Sequence, residues 1–232
     1  MLILGIETAT DQVGCAIGGH EGVLASAHSV RGRQHAETLA PQIDFVRRQA
    51  RIDLSEISVV AVDLGPGLYT GLRVGVATAI SMAYALGVPM IGVSSLDLVA
   101  FPVRFSPRLI IATLDARRGE VFYAFYRQVP AGVQRVSEPK VGTPQQAASE
   151  IQAEGGECLL VGDGALRYRD HFERDHKVEI VEQGLSHPSA GSLVQLAHAR
   201  ALREEFVNPW ELRPLYLRKP DAEINWKTRE SQ

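Results

Sequence analysis

Hydrophobic positions in the first quarter of the chain follow a two-residue period and then a helical one. Short β-rich pieces at residues 2–6, 13–17 and 23–29 are joined by turns that contain Asp, Gly or His, a pattern typical of an antiparallel meander. From residue 35 to 49 the apolar side chains recur every three or four residues. This spacing predicts an amphipathic helix directly after the meander.

A continuous apolar run at residues 58–64 ends in Gly65-Pro66-Gly67. An apolar run before a tight turn is typical of a central strand that is buried on both faces. A second helix is predicted at residues 71–86, and a further strand at residues 90–93. The first half of the chain is therefore expected to contain both strands and helices.

The second half of the chain repeats this order. Its strands and helices are expected at residues 109–114, 121–126, 133–137, 143–155, 158–161 and 189–206. Thr143 as N-cap and Pro144 in the first turn predict where the first of these helices begins. The strand before Gly65-Pro66-Gly67 matches the strand before Gly162-Asp163-Gly164, which indicates duplication.

We therefore predict an α/β protein of two lobes. The first lobe covers residues 1–104 and carries the partner interface described below. The second covers residues 105–232, and its last helix is expected to pack back on the first lobe. Two prolines interrupt the pattern near residues 101–107, where a boundary between domains is favoured.

Composition excludes several classes of protein. The chain has 232 residues, of which 45% are hydrophobic and 22% charged, with a net charge of −3, so it is neither disordered nor fibrous. Nearly balanced charge gives no general attraction to nucleic acid or anionic lipid. The two cysteines, Cys15 and Cys158, are too few for a disulfide framework or a thiolate metal site.

The sequence also indicates a cytoplasmic location. The first residues carry no basic segment and reach Glu7 early, which argues against a secretory signal. Residues 74–96 are uncharged, but polar residues dilute them and Gly87-Val88-Pro89 interrupts them, so a membrane-spanning helix is not expected.

Candidate catalytic groups are scarce. Thr8, Thr10 and Asp11 follow the first strand and could offer hydroxyls and a carboxylate to a phosphate and magnesium, although these residues are also ordinary turn formers. The charged turn at residues 115–120 is expected to be solvated. No two histidines lie four apart, so no zinc site is predicted.

The second predicted helix carries unusually little side-chain bulk. Gly71, Gly75, Ala79, Ala83 and Gly87 lie four apart and form one slim ridge, while a second row consists of Arg73, Ala77, Ser81 and Ala85. Slim ridges let another helix approach closely. We predict that this helix packs against the helix at 35–49 on one side and a partner subunit on the other. The expected interface residues are His35, Leu39, Ile43, Gly71, Arg73, Gly75, Thr78, Ala79, Met82 and Ala83.

The most distinctive motif of the chain is the run GPGLYTGLRVG at residues 65–75, and four more motifs occupy residues 6–11, 33–41, 115–121 and 216–220. Together the five motifs resemble the TsaB (YeaZ) family of bacterial proteins for threonylcarbamoyladenosine synthesis on tRNA. The likeness covers nearly the whole chain. It implies the duplicated two-lobe fold of actin-like, hexokinase-like and Hsp70-like ATPases, the ASKHA fold.

The resemblance also implies a lost active site. The catalytic relative TsaD carries two metal-binding histidines four apart after the strand that follows the second helix, and these positions fall on Ser95 and Val99 here. Valine has no donor atom and a neutral serine is a poor ligand. The resemblance therefore implies a protein with the fold but with no catalytic residues, metal or firmly bound cofactor of its own.

The role implied by the resemblance is that of a helper subunit. TsaB-like proteins form a heterodimer with TsaD through first-lobe helices, and homodimers through the same surface when TsaD is absent. With the ATPase TsaE they support transfer of threonylcarbamoyl from its adenylate to N6 of adenosine 37 in tRNAs that read ANN codons. ATP is used by the complex, with a nucleotide expected near the partner interface, and tRNA is met through the complex.

Two other functions are left open by the residues. One is a metallopeptidase of the glycoprotease type, which requires a bound metal. The other is an ATP-binding, kinase-like enzyme that uses Thr8, Thr10, Asp11 and the two glycine turns.

Overall fold

The computed structural model describes residues 1–30, 35–130 and 132–218. The parts of the predicted motifs at residues 33–34 and 219–220 lie outside these ranges. The strands are β1 (Leu2–Glu7), β2 (Gln12–Gly19), β3 (Gly22–Val30), β4 (Ile57–Asp63), β5 (Met90–Val93), β6 (Leu109–Arg117), β7 (Glu120–Val129), β8 (Gly132–Arg135), β9 (Lys140–Gly142), β10 (Cys158–Val161) and β11 (Val178–Ile180). The helices are α1 (His35–Ala50), α2 (Tyr69–Leu86), α3 (Ser95–Ala100), α4 (Pro144–Glu154), α5 (Asp163–Arg167), α6 (Arg169–Phe172) and α7 (Ala190–Ala201).

Two sheets with the same strand order organise the described residues. The first sheet runs β3-β2-β1-β4-β5, and the second runs β8-β7-β6-β10-β11, with β9 added beside β7. In each sheet the first three strands are antiparallel and the last two join in parallel. The predicted meander and the predicted duplication are both confirmed.

The two large helices of the first lobe cover one face of its sheet. Buried side chains of α1 and α2 share a core cluster with β1, β2 and β4, including Leu39, Val76 and Ile6. Gly87, with φ of 67°, ends α2, a left-handed position that glycine adopts without a Cβ penalty. In the second lobe the Thr143 hydroxyl accepts from the Gln146 N–H and caps α4 as predicted.

Two helices cross between the sheets. α3 follows the first sheet but packs against β6 and β7, whereas α7 follows the second sheet but packs against β1, β2 and β5. Leu193 and Val194 of α7 are fully buried in a cluster with Ile3. The crossing places the two lobes in direct apolar contact.

The last predicted helix is shorter than expected. It was predicted to reach residue 206 but ends at Ala201. Leu202 is 69% exposed, so the apolar face that holds α7 on the sheet stops there, and Glu204 adopts a left-handed backbone with φ of 56°. The chain then runs back along the first lobe, where Val207 N donates to Met90 O and Leu215 N donates to Leu64 O.

Among the described residues, no helix combines the length and the apolar character needed to cross a membrane.

Candidate functional site

Two buried carboxyl groups lie at the carboxyl ends of β1 and β4. Glu7 Oε1 accepts from Ala9 N at 2.8 Å. Asp63 Oδ1 accepts from Ser95 Oγ at 2.6 Å and from Gly65 N at 2.8 Å, while its Oδ2 has no hydrogen-bond partner. Burial and the neighbouring Asp63 raise the pKa of Glu7, and burial raises the pKa of Asp63 to about 7. The pair therefore favours holding a proton rather than ionising fully at neutral pH.

The polar groups of the turn after β1 are engaged within the chain. The Thr8 hydroxyl donates to Gly71 O at 2.8 Å. Thr10 Oγ1 accepts from Gln12 N at 3.2 Å and lies 3.4 Å from His187 Nδ1. Asp11 pairs with Arg117 of the second lobe. All three predicted phosphate-site candidates thus hold structural partners.

The two glycine turns allow close packing. A Cβ at Gly67 would collide with the backbone of Ala9, and one at Gly162 would collide with Thr113. Leu68 N donates to Ala9 O at 2.7 Å, so this amide is also occupied. A phosphate site at a strand-to-helix turn needs free N–H groups. At least one amide that a phosphate at this turn would use is therefore already engaged within the chain.

The turn between β6 and β7 differs from the solvated hairpin that the sequence predicted. The Asp115 side chain is buried, and it lies 3.2 Å from Arg117 and 3.5 Å from Arg167. Arg117 has φ of 63° and also pairs with Asp11 across the two lobes. No local pattern predicts this link, because Arg117 and Asp11 are 106 positions apart.

A second buried acid supports this turn. Asp163 Oδ1 accepts from Asp115 N at 2.9 Å. Burial raises the pKa of Asp163 to about 6, although the hydrogen bond from Asp115 N and the charge of Arg117 oppose the increase.

Ser95 and Val99, which the resemblance equates with the metal-binding histidines of TsaD, lie in the interior. Ser95 is fully buried and its hydroxyl donates to Asp63, and Val99 is fully buried in the apolar cluster under α3. Within residues 1–30, 35–130 and 132–218, no group of three or more His, Cys, Asp or Glu side chains is arranged to hold a metal ion.

The slim ridge of α2 faces the interior of its own lobe, so the prediction that it meets a partner was wrong. Gly71, Gly75, Ala79 and Ala83 are all buried. A Cβ at Gly71 would collide with Thr8 O and lie 3.1 Å from His35 Nε2, and one at Gly75 would collide with the Thr8 hydroxyl. The small residues therefore admit the β1 turn and the start of α1. The expected interface residues His35, Leu39 and Ile43 are buried as well, the last two in the core cluster of the first lobe.

The second slim row of α2 is exposed. We call Arg73, Ala77, Ser81, Tyr84 and Ala85 the α2 outer face; all five are exposed, Tyr84 to 72%. Of the expected interface residues only Arg73 belongs to it, and Thr78 and Met82 are half-buried beside it.

Aromatic side chains from the returning end of the chain flank this face. Arg73 lies over the Tyr69 ring at 3.9 Å and donates from Nε to the Tyr216 hydroxyl at 3.4 Å. Trp210, 64% exposed, meets Tyr84 edge-on at 5.9 Å between ring centroids. Exposed aromatic residues and arginine are enriched at protein interfaces, and the slim residues between them would let a partner helix approach closely.

Comparison with known proteins identifies the family. A family model described as "TsaD: tRNA N6-adenosine threonylcarbamoyltransferase" matches residues 24–226. The chain belongs to this family. TsaB from Escherichia coli is 27% identical over 98% of this chain and 97% of its own length, and TsaB from Bacillus subtilis is also 27% identical. The resemblance of the motifs to TsaB (YeaZ) is confirmed.

An uncharacterised Mycobacterium leprae relative is more similar in sequence but longer. It is 36% identical over 95% of this chain, and the match covers 56% of its own length. The chain thus spans just over half of that relative.

Solved structures support the same assignment and the fold. A Pseudomonas aeruginosa protein described as similar to peptidase YEAZ superposes with a TM-score of 0.82 at 26% identity, covering 94% of this chain and 99% of that one. A Thermus thermophilus ROK hexokinase matches with a TM-score of 0.51 at 11% identity over 84% of this chain and 98% of its own. The hexokinase likeness concerns the fold alone. The predicted two-lobe ASKHA fold is confirmed.

Proposed function

We propose that this chain is a non-catalytic subunit that binds and activates TsaD. In this role it supports formation of the threonylcarbamoyl group on N6 of adenosine 37 in tRNAs that read ANN codons. The names of the TsaB relatives, which are tRNA threonylcarbamoyladenosine biosynthesis proteins, support the pathway. We propose a cytoplasmic location, which fits a role on tRNA within that pathway.

The observation that carries the non-catalytic assignment is the environment of Ser95 and Val99. Both are fully buried, and the Ser95 hydroxyl is used by Asp63. A metal ligand must present a lone pair toward an open coordination position. The Ser95 hydroxyl instead faces Asp63 of the first sheet, and Val99 packs in the apolar cluster that α3 shares with β6 and β7 of the second sheet.

The α2 outer face is the surface that we assign to TsaD. Ala77, Ser81 and Ala85 lie four apart on it, so a partner helix could approach the backbone of α2 closely. In the absence of TsaD, a second copy of the chain would use the same face. TsaE, ATP and tRNA then act through the assembled complex, with any nucleotide near the interface rather than at the turn after β1.

Reconstitution tests the proposal directly. The purified chain should give no threonylcarbamoyladenosine by itself, and should stimulate its formation when TsaD, TsaE, ATP, the threonylcarbamoyl adenylate and unmodified tRNA are present. Modified nucleoside is measured by mass spectrometry after digestion of the tRNA. Product formed by the chain without TsaD would overturn the non-catalytic assignment.

A matched pair of variants tests the surface. Ala77→Arg adds bulk and charge to the α2 outer face and should abolish both copurification with TsaD and stimulation. Ala153→Arg makes the same change at an exposed alanine of α4 and should leave both intact. Loss of TsaD binding in both variants, or in neither, would contradict the assignment of the face.

Assays on the same purified chain test the two other candidate functions, a metallopeptidase and a kinase-like enzyme. A metallopeptidase would contain stoichiometric metal and show chelator-sensitive peptide cleavage. A kinase-like enzyme would bind Mg-ATP tightly by itself in calorimetry.

A further inference from the structure

A polar groove lies where the two lobes meet, on elements that the proposed function does not use. Its volume is about 660 Å³, within the range of small-molecule sites, which also favour junctions between domains. We call it the junction groove. Its main lining residues are Asp97 of α3, Leu196 and Arg200 of α7, Tyr126 of β7, and Val133 and Arg135 of β8.

Charged groups converge on Asp97 in this groove. The buried Tyr126 hydroxyl donates to Asp97 Oδ1 at 2.8 Å. A guanidinium nitrogen of Arg135 lies 3.7 Å from Asp97 Oδ1, and one of Arg200 lies 3.7 Å from Oδ2. Both separations exceed hydrogen-bond length. Each guanidinium is therefore held near Asp97 by charge, without a hydrogen bond to that carboxylate.

The positions of these groups are fixed by both lobes. Arg200 also donates to Gly92 O of β5 at 2.7 Å. Burial and Asp97 raise the pKa of Tyr126, so its phenol stays protonated and remains a donor. The Arg135, Arg200 and Asp97 side chains are 35%, 32% and 23% exposed. Contacts within the protein thus preorganise the side chains of the groove for a ligand.

The charge of the cluster is not balanced. Two guanidinium groups flank one carboxylate, so the cluster around Asp97 carries one net positive charge. Glu138 also lines the groove, and both Glu138 and Arg135 are exposed residues, so solvent and salt screen both of these charges. Leu196 and Val133 supply apolar wall beside the charged cluster.

We propose that the junction groove binds a small organic anion, a carboxylate or a phosphate monoester carried on an apolar body. Arg135 and Arg200 contact the anionic group, because guanidinium groups form strong charge-assisted hydrogen bonds with both kinds of oxyanion. Asp97 limits the net positive charge of the site.

Calorimetry on the full chain tests the proposal with three related probes. Benzoate and phenyl phosphate carry the two kinds of anionic group, and benzamide is a neutral molecule of similar shape. We expect binding of at least one anion and much weaker binding of benzamide. Binding of benzoate alone would identify a carboxylate ligand, and binding of phenyl phosphate alone a phosphate monoester.

Two substitutions should change the affinity for the anion in opposite directions. Arg135→Gln should weaken anion binding by about tenfold through loss of one charge-assisted contact. Asp97→Asn keeps an acceptor for Tyr126 and removes the opposing charge, so it should tighten binding. Arg127→Gln, on β7 in a surface pair with Glu154 of α4, is the control and should leave the affinity for the anions unchanged.

The proposal fails if neither anion binds or if benzamide binds equally well. It also fails if Arg135→Gln leaves the affinity unchanged. Weaker binding in a folded Asp97→Asn variant would show that the carboxylate itself holds the ligand, and would also overturn the anion assignment. Circular dichroism establishes whether each variant is folded. If Asp97→Asn does not fold, the affinity of Arg135→Gln alone tests the anion proposal.

Discussion

The turns that follow the central parallel strands of the two sheets are closed by different forces. At the end of β4, Asp63 is 1% exposed, and one carboxyl oxygen accepts from Ser95 Oγ and Gly65 N while the other has no hydrogen-bond partner. After β10, Asp163 accepts from the backbone of Asp115, and Arg117 lies close enough to lower its pKa. The acid of the first turn is held by uncharged donors, and the acid of the second turn also lies near a cation.

The helices that follow these two turns differ in length. α2 has 18 residues and covers the first sheet, whereas α5 and α6 have five and four. A helix of α2's length can bury one row against the sheet and still present another row outward. Duplication thus supplied two similar sheets, and the helix after β4 makes the first lobe the candidate for partner binding.

The largest expected contrast is in the pH dependence of stability. A carboxyl group in an unfolded chain releases its proton near pH 4, but folded Asp63 keeps its proton up to about pH 7. Between these two pH values the folded state carries a proton on Asp63 that the unfolded state has lost. The free energy of unfolding therefore falls as pH rises from about 4 to 7, by at most roughly 4 kcal/mol. For Asp163, with a pKa of about 6, the window is narrower and the fall at most roughly 3 kcal/mol.

Urea denaturation from about pH 5 to about pH 8 measures this contrast. Asp63→Asn should flatten the decline more than Asp163→Asn. The slope is the quantity to compare, because the new amide in the buried Asp63 site costs about 1–3 kcal/mol at every pH. Equal slopes in the two variants would contradict the distinction between the turns.

Substitutions in the two rows of α2 should differ less strongly in their effect on the free energy of unfolding. Ala79 is fully buried against the sheet, so Ala79→Leu should lower the free energy of unfolding by about 1–3 kcal/mol through overpacking. Ala77→Leu lies on the exposed row and should stay within about 0.5 kcal/mol of wild type. Thermal and urea denaturation of both variants give the comparison, and equal losses would show that the rows are misassigned.

The smallest effect is expected at the charged turn. Arg117→Gln removes the pairs with Asp11 and Asp115, but the Arg117 side chain is 38% exposed. Solvent screens these pairs, so Arg117→Gln should lower the free energy of unfolding by about 1 kcal/mol or less, and added salt should make this decrease smaller. Denaturation at low and high salt measures this. A loss that persists at high salt would mean that Arg117 acts by packing instead.

Local patterns predicted the elements well. The alternating meander, the apolar run before Gly65, the Thr143 cap and the Gly87 stop all appear as predicted, because each depends on residues close together in the chain. The end of α7 was predicted less well, since the apolar pattern continues past Ala201 while the sheet that it packs on does not.

The candidate site was predicted only in part. The sequence singled out Thr8, Thr10 and Asp11, but each proved to have a partner far along the chain, in Gly71, His187 and Arg117. Such pairs leave no periodic trace in the sequence. The junction groove was missed for the same reason, because Asp97, Arg135 and Arg200 lie on three different elements.

The amino-acid sequence by itself determined the elements, the duplicated order of strands and the family, because local hydrogen bonding, hydrophobic periodicity and motifs are properties of neighbouring residues. It also identified α2 as a helix with two slim rows. Only the tertiary structure decided which row faces outward. Both rows have the same four-residue spacing and little bulk, and the choice depends on Thr8 and His35, which occupy the space beside Gly71 and Gly75.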